Sequence, residues 1–248
     1  MINMIRARWY ELTHMLPFWG FLILIAGFAA AGADSTWRFG PEPLGDNAVS
    51  IQERMALAGF VLGVALIWFL SFLGDDERNS VASIALVGPQ SRVQWVGSAL
   101  VCYVSVLACF AAAFVAAAGC AVMAWGHLPA ITVEAVTDFL RFFSAFLVVA
   151  MAYGGLLLLS MVVLRRTVAG LAVLLMLVGG VVEHGLAQVL ILLGAGNLAM
   201  AWGPYTLFAQ LSLLCGGGIP SLGALGCAAV TAVASTALSA MFMKRRCL

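Results

Sequence analysis

From residue 185 to residue 243 the chain carries no Asp, Glu, Lys or Arg. Further uncharged stretches cover residues 15–33, 55–74, 93–126, 142–164 and 167–182. A helix crosses the hydrocarbon core of a bilayer with about 20 mostly apolar residues, so most of these stretches are long enough for a crossing. The whole chain has 248 residues, 64% hydrophobic and only 9% charged, against roughly 45–50% and about 25% in a soluble domain. Surface-to-volume scaling leaves a soluble fold of this size no way to bury so much apolar surface. The runs are also too long and too uniform for a transmembrane β-barrel, whose strands alternate in segments of about ten residues. A net charge of +1 offers no electrostatic footprint for nucleic acid. The chain reads as an all-α integral membrane protein.

The runs parse into six transmembrane helices over residues 17–33, 55–74, 95–125, 140–164, 168–193 and 220–243. With both termini cytoplasmic, the inner side holds Arg6, Arg8, Arg78, Arg92, Arg165, Arg166, Lys244, Arg245 and Arg246, while the outer side holds Arg38, Arg54 and Arg141. That asymmetry is the positive-inside bias. Ahead of the first span, Ile2, Ile5, Trp9, Leu12 and Leu16 recur at helical spacing, with Arg6, Glu11 and His14 on other faces. This predicts an amphipathic helix over residues 1–16 lying in the interface, with Pro17 turning the chain into the first span. A signal peptide ending near Ala31-Gly32-Ala33 is the competing interpretation of the same stretch. The alanine- and glycine-rich stretches 111–121 and 224–240 suit close helix packing.

Charges are scarce, and one cluster of them stands between spans two and three. Asp75, Asp76, Glu77 and Arg78 open a segment that closes on Leu86-Val87-Gly88-Pro89-Gln90-Ser91-Arg92. The acids suit a helix N-terminus, Val81, Ile84 and Ala85 give a small apolar face, and Gly88-Pro89 ends the turn. A polar loop with one helical turn satisfies the same composition.

This segment resembles the corresponding region of ABC-2 type transporter permeases, which runs from an acid-basic cluster through Gly-Thr to Pro-x-Ser-Arg. Asn79-Ser80 stands here in place of Gly-Thr. The end of the chain, Phe242-Met243-Lys244-Arg245-Arg246-Cys247-Leu248, is similar to that family's closing signature, with Cys247 in place of the usual acid. Residues 1–16 resemble its elbow helix, and Pro204-Tyr205 its Pro-Ser-Tyr region. The compact length is most like the lantibiotic-immunity and bacteriocin-export permeases.

The resemblance implies one membrane subunit of an ATP-driven exporter in a bacterial cytoplasmic membrane, moving an amphipathic peptide, lantibiotic, drug or lipid. Its partners would be an ATP-binding cassette subunit and a second permease, identical or a sister. Residues 75–92 would be the coupling segment, with Asp75, Asp76, Glu77, Arg78, Pro89, Ser91 and Arg92 docking the ATPase. The sequence agrees in one negative: Lys244 is the only lysine, and no Gly-rich loop precedes it. A Walker A lysine is therefore absent, so no cofactor is expected on this chain, and ATP and Mg belong to the partner. A membrane anchor for a cytoplasmic or redox enzyme is the alternative.

No metal or covalent chemistry is indicated. There is no His-Glu-x-x-His, the six cysteines form no Cys-x-x-Cys, and cysteine within a span packs as a small apolar residue. Glu183 and His184 are the exception, because an ionisable pair inside a span marks a functional position by default. Glu183 stands about sixteen residues beyond Arg166, roughly 24 Å along a helix, and Gly179-Gly180 before it allow a bend. It is a candidate for the translocation path together with His184, or a structural partner of His184 or Arg141. An acid/base role for the pair in an intramembrane enzyme is a third interpretation. Asp138 and Arg141 are spaced for an i,i+3 pair, and residues 216–220, Gly-Gly-Gly-Ile-Pro, divide a shallow outer hairpin around 204–216 from the last span.

Overall fold

A computed structural model describes residues 2–39, 51–78, 89–124, 133–164 and 166–245. Every regular element among them is a helix. In chain order they are α1 (Ile2–His14), α2 (Leu16–Phe39), α3 (Ile51–Ala56), a π turn (Leu57–Val61), α4 (Leu62–Arg78), α5 (Pro89–Ala124) and α6 (Val133–Leu164). There follow α7 (Thr167–Val178), α8 (Val181–Leu192), α9 (Gly196–Trp202), a 3-10 turn (Gly203–Tyr205), α10 (Leu207–Cys215) and α11 (Leu222–Arg245). Among the described residues four helical stretches are long and apolar enough to cross a membrane, or up to seven if each of three bent pairs is one crossing. The chain is a multi-pass membrane protein.

The amphipathic N-terminal segment is a separate helix, and its axis turns by 69° into α2. Only Met15 interrupts the helical backbone, and Pro17 sits in the first turn of α2, where its missing N–H costs nothing. Pro89 likewise opens α5. α6 begins earlier than the apolar run, because Glu134 in its first turn suits the helix dipole and Thr137 Oγ1 donates to Val133 O at 2.8 Å. Arg141 lies 3.9 Å from Asp138 with both side chains mostly exposed, the i,i+3 pair that their spacing suggested.

The core is aromatic and sits between α2, α4, α5 and α6. Trp68, Phe69, Tyr103, Phe110, Phe142, Phe146 and Tyr153 are all but inaccessible. Phe69 and Tyr103 approach at 4.7 Å between ring centroids, and Tyr103 Oη donates to Ala150 O at 3.1 Å, tying α5 to α6. The ring of Tyr103 fits because position 154 is glycine: a Cβ there would stand 2.4 Å from Tyr103 Cε1. α6 makes its most extensive contact with α11. Gly155 admits Ser235 so closely that a Cβ would lie 2.4 Å from Ser235 Oγ, so the small-residue stretch 224–240 does permit close approach. The burial is uneven: 67% of the α3–α4 crossing stretch is inside the protein but only 22% of that of α11, whose outer face is left to lipid or a neighbour.

The span expected over 168–193, with a bend allowed at Gly179-Gly180, is a bent helix pair. α7 and α8 bend by 59° at Gly180, whose φ of 68° is left-handed and open to glycine without steric penalty. The shallow hairpin is a second bent pair, α9 and α10, at 52°. The Gly-Gly-Gly stretch breaks the chain after α10, with Gly217 at φ 77°.

Candidate functional site

Glu183 and His184 face a cleft of about 560 Å³ between the two bent pairs, lined also by Trp202, Thr206, Phe208 and Ser212. The geometry of α10 explains how it forms. Leu207, Gln210, Leu211 and Leu214 are buried, a face at helical spacing turned toward α6, α3 and the π turn. Phe208, Ala209, Ser212, Leu213 and Gly216, on the opposite face, line the cleft.

The start of α10 has two caps of different origin. Thr206, extended at φ −71° and ψ 150°, accepts through Oγ1 from Ala209 N–H at 3.2 Å, a local N-cap. The next free donor, Phe208 N–H, is satisfied from another helix: both carboxylate oxygens of Glu183 accept it at 2.9 Å. A carboxylate at that position also meets the positive end of the helix dipole. Glu183 therefore joins α8 to α10 and does not pair with His184 or Arg141. Tyr153, whose hydroxyl is buried without a hydrogen-bond partner, lies within electrostatic reach of Glu183.

Phe208 is the centre of this joint. Its ring packs on Gly180, where a Cβ would stand 2.7 Å from the ring carbons. The His184 ring meets it edge-on at 5.2 Å between centroids. His184 Nδ1 lies 2.8 Å from Gly180 O. A carbonyl only accepts, so Nδ1 carries the proton, and in the neutral ring Nε2 is an acceptor. The two helix breaks are thus fastened to each other at Gly180 and Phe208.

The second candidate region, 75–92, is described at its two ends. α4 continues through Asp75, Asp76, Glu77 and Arg78, and α5 begins at Pro89 and carries Ser91 and Arg92 in its first turn. Residues 79–88, with the short helix expected there, lie outside the described residues, and of the seven docking candidates only Asp75 has a described side chain, half-buried. Just inside these ends, Arg8 of α1 is 5% exposed. Its guanidinium lies 5.1 Å from the ring centroids of both Phe72 and Trp95, a cation–π contact on each side.

Sequence reasoning found Glu183, His184 and the Gly179-Gly180 bend. It missed Trp202, Thr206 and Phe208. Thr206 carried a signal, since threonine ahead of an apolar helical run is a preferred N-cap; Phe208 carried none. Among the described residues no three His, Cys, Asp or Glu side chains come together as a metal site. No protein-family model matches the chain, and no curated protein is significantly similar to it.

Proposed function

We propose that this chain is the permease subunit of an ABC-2 type exporter in a bacterial cytoplasmic membrane, moving an amphipathic peptide, lantibiotic, drug or lipid. The observation that supports it best is the joint at Arg8. An amphipathic helix set at 69° to the first span is fastened by one buried arginine to Phe72 and Trp95. Those residues flank the charged cluster 75–92 on its two sides. In this reading α1 is the elbow helix and α9–α10 a re-entrant element, which leaves six crossings with both termini inside. Force from a docked ATPase enters through the ends of α4 and α5 and shifts the spans between two access states. ATP and Mg reside on the partner, and a second permease copy or sister completes the transporter.

The test is affinity purification of the full chain from its native membrane, with mass spectrometry of what accompanies it. A co-purifying protein with a Walker A motif is expected, and an Arg78→Glu/Arg92→Glu double variant is expected to lose it. A redox subunit in its place, or a double variant that still assembles and still couples ATP hydrolysis to export, overturns the proposal.

A further inference from the structure

We infer that the cleft between the two bent helix pairs is a binding site for a cationic amphipath, a primary ammonium or a lysine-like group on a hydrocarbon body. Several hydrogen-bonding groups around the cleft are already committed. At the mouth of α10 two backbone donors are already used: Phe208 N–H by Glu183 and Ala209 N–H by Thr206. Thr206 Oγ1 spends its own proton on Gly203 O at 2.9 Å. His184 spends its Nδ1 proton on Gly180 O at 2.8 Å, and in the neutral ring Nε2 is then an acceptor. Glu183 gives its two oxygens a single N–H to share, against about four lone-pair sites on a carboxylate. Ser212 and Trp202 also line the cleft and add an O–H and an indole N–H donor, but its only acidic side chain is Glu183, and neither Lys nor Arg is among its lining residues.

An anion meets the Glu183 carboxylate with no Lys or Arg to offset it, while a neutral hydrocarbon leaves that carboxylate desolvated and its spare lone pairs unanswered. An ammonium group supplies N–H donors and the complementary charge together. The remaining lining suits the body of the same molecule: Trp202 offers a ring face for a cation, and Ala187, Ala199 and Leu213 are apolar. A volume of about 560 Å³ falls in the range of roughly 300–1,000 Å³ usual for small-molecule sites.

This deepens the permease reading by naming a substrate class, and the test is separable from it because it needs no ATPase. The full chain in lipid nanodiscs is photo-labelled with a diazirine-bearing dodecylamine, and the labelled peptides are mapped. Saturable labelling within residues 180–216 is expected. Unlabelled dodecylamine should compete at least about tenfold better than its neutral N-acetyl derivative, and dodecanoate should not compete at the same concentrations. Glu183→Gln keeps a carbonyl acceptor for Phe208 N–H but removes the charge, and it should weaken labelling about tenfold or more, the scale of a charge-assisted hydrogen bond. Trp202→Leu leaves both caps untouched and should weaken it several-fold. Equal competition by amine and amide, better competition by dodecanoate, labelling spread over all spans, or unchanged labelling in both variants overturns the inference. Failure here with a Walker A partner still bound removes the site and leaves the permease reading; labelling without such a partner does the reverse.

Discussion

The aromatic core and the bent pairs beside it are held by different means. Between α2, α4, α5 and α6, long helices keep regular backbone and rings fill the space between them, with Tyr103 seated on Gly154. Across α7 to α10 the helices are short, and the three positive-φ glycines among the described residues, Gly180, Gly194 and Gly217, all fall between α7 and α11. None of the residues of α8 is buried, and large apolar side chains such as Leu175, Val181, Leu192 and Met200 are exposed, as suits a surface against lipid. Apart from the buried face of α10 and Leu174 of α7, that region depends on backbone conformation and on caps. The core has close-packed side chains that yield poorly. The bent pairs meet at a polar joint on Glu183 and Phe208, and sparsely packed elements are where binding and movement commonly occur.

The largest effect that tests this contrast is expected at Gly180. Gly180→Ala forces an L residue to φ 68° and sets its Cβ 2.7 Å from the Phe208 ring, and the backbone strain alone is worth about 1–3 kcal/mol. In a chain keeping only Cys102 and Cys215, thiol labelling should rise at Cys215, in α10, and stay low at the buried Cys102. Equal rises at both would mean that the two regions unfold as one. Gly154→Ala is next. It overpacks the core against Tyr103 at a cost of about 1–3 kcal/mol, read as a lower midpoint of detergent-induced unfolding, with both cysteines exposed together. Protection retained at Cys102 would break the assignment of stability to the core.

Thr206→Ala removes the local cap of α10 and should cost about 1 kcal/mol. Combined with Glu183→Gln it should deviate from additivity, because both act on the same helix start; strictly additive effects would mean that the joint is not a unit. Arg8→Ala should cost about 1–2 kcal/mol through its two ring contacts and leave labelling at Cys215 unchanged, since α1 does not belong to the bent pairs. The smallest effect is expected at Gly185, in α8, where a Cβ meets nothing within 4 Å. Gly185→Ala should be neutral or stabilising by up to about 1 kcal/mol. A clear loss there would show that α8 is more tightly held than its exposure indicates.

Much of this was legible in the chain itself. The uncharged runs predicted crossing helices because a bilayer demands length and continuous apolarity. The spacing of Ile5, Trp9 and Leu12 predicted a separate amphipathic helix, since a helical period needs no partner to be visible. Gly179-Gly180 and the Gly-Gly-Gly stretch marked where helices stop. What these signals lacked was direction. A glycine pair announces a possible bend but neither its 59° nor that the ring of Phe208 packs on it.

The site was legible only in part for the same reason. That Glu183 and His184 stand out as candidates follows from the cost of ionisable groups in an apolar segment, a property of each residue in its local sequence. That Glu183 caps a helix starting at Thr206, and that His184 has its Nδ1 proton committed to Gly180 O, depends on two bent pairs meeting. Residue 183 and its partner Phe208 are separated by 25 positions, and no periodicity couples positions across two breaks and a turn. Composition and local pattern were enough to set the environment of this protein, its helices and the scarcity of its charges, because solvent transfer acts on them. Only the tertiary structure decided where those charges are spent, because a hydrogen bond has a direction and a partner, and both are set by packing.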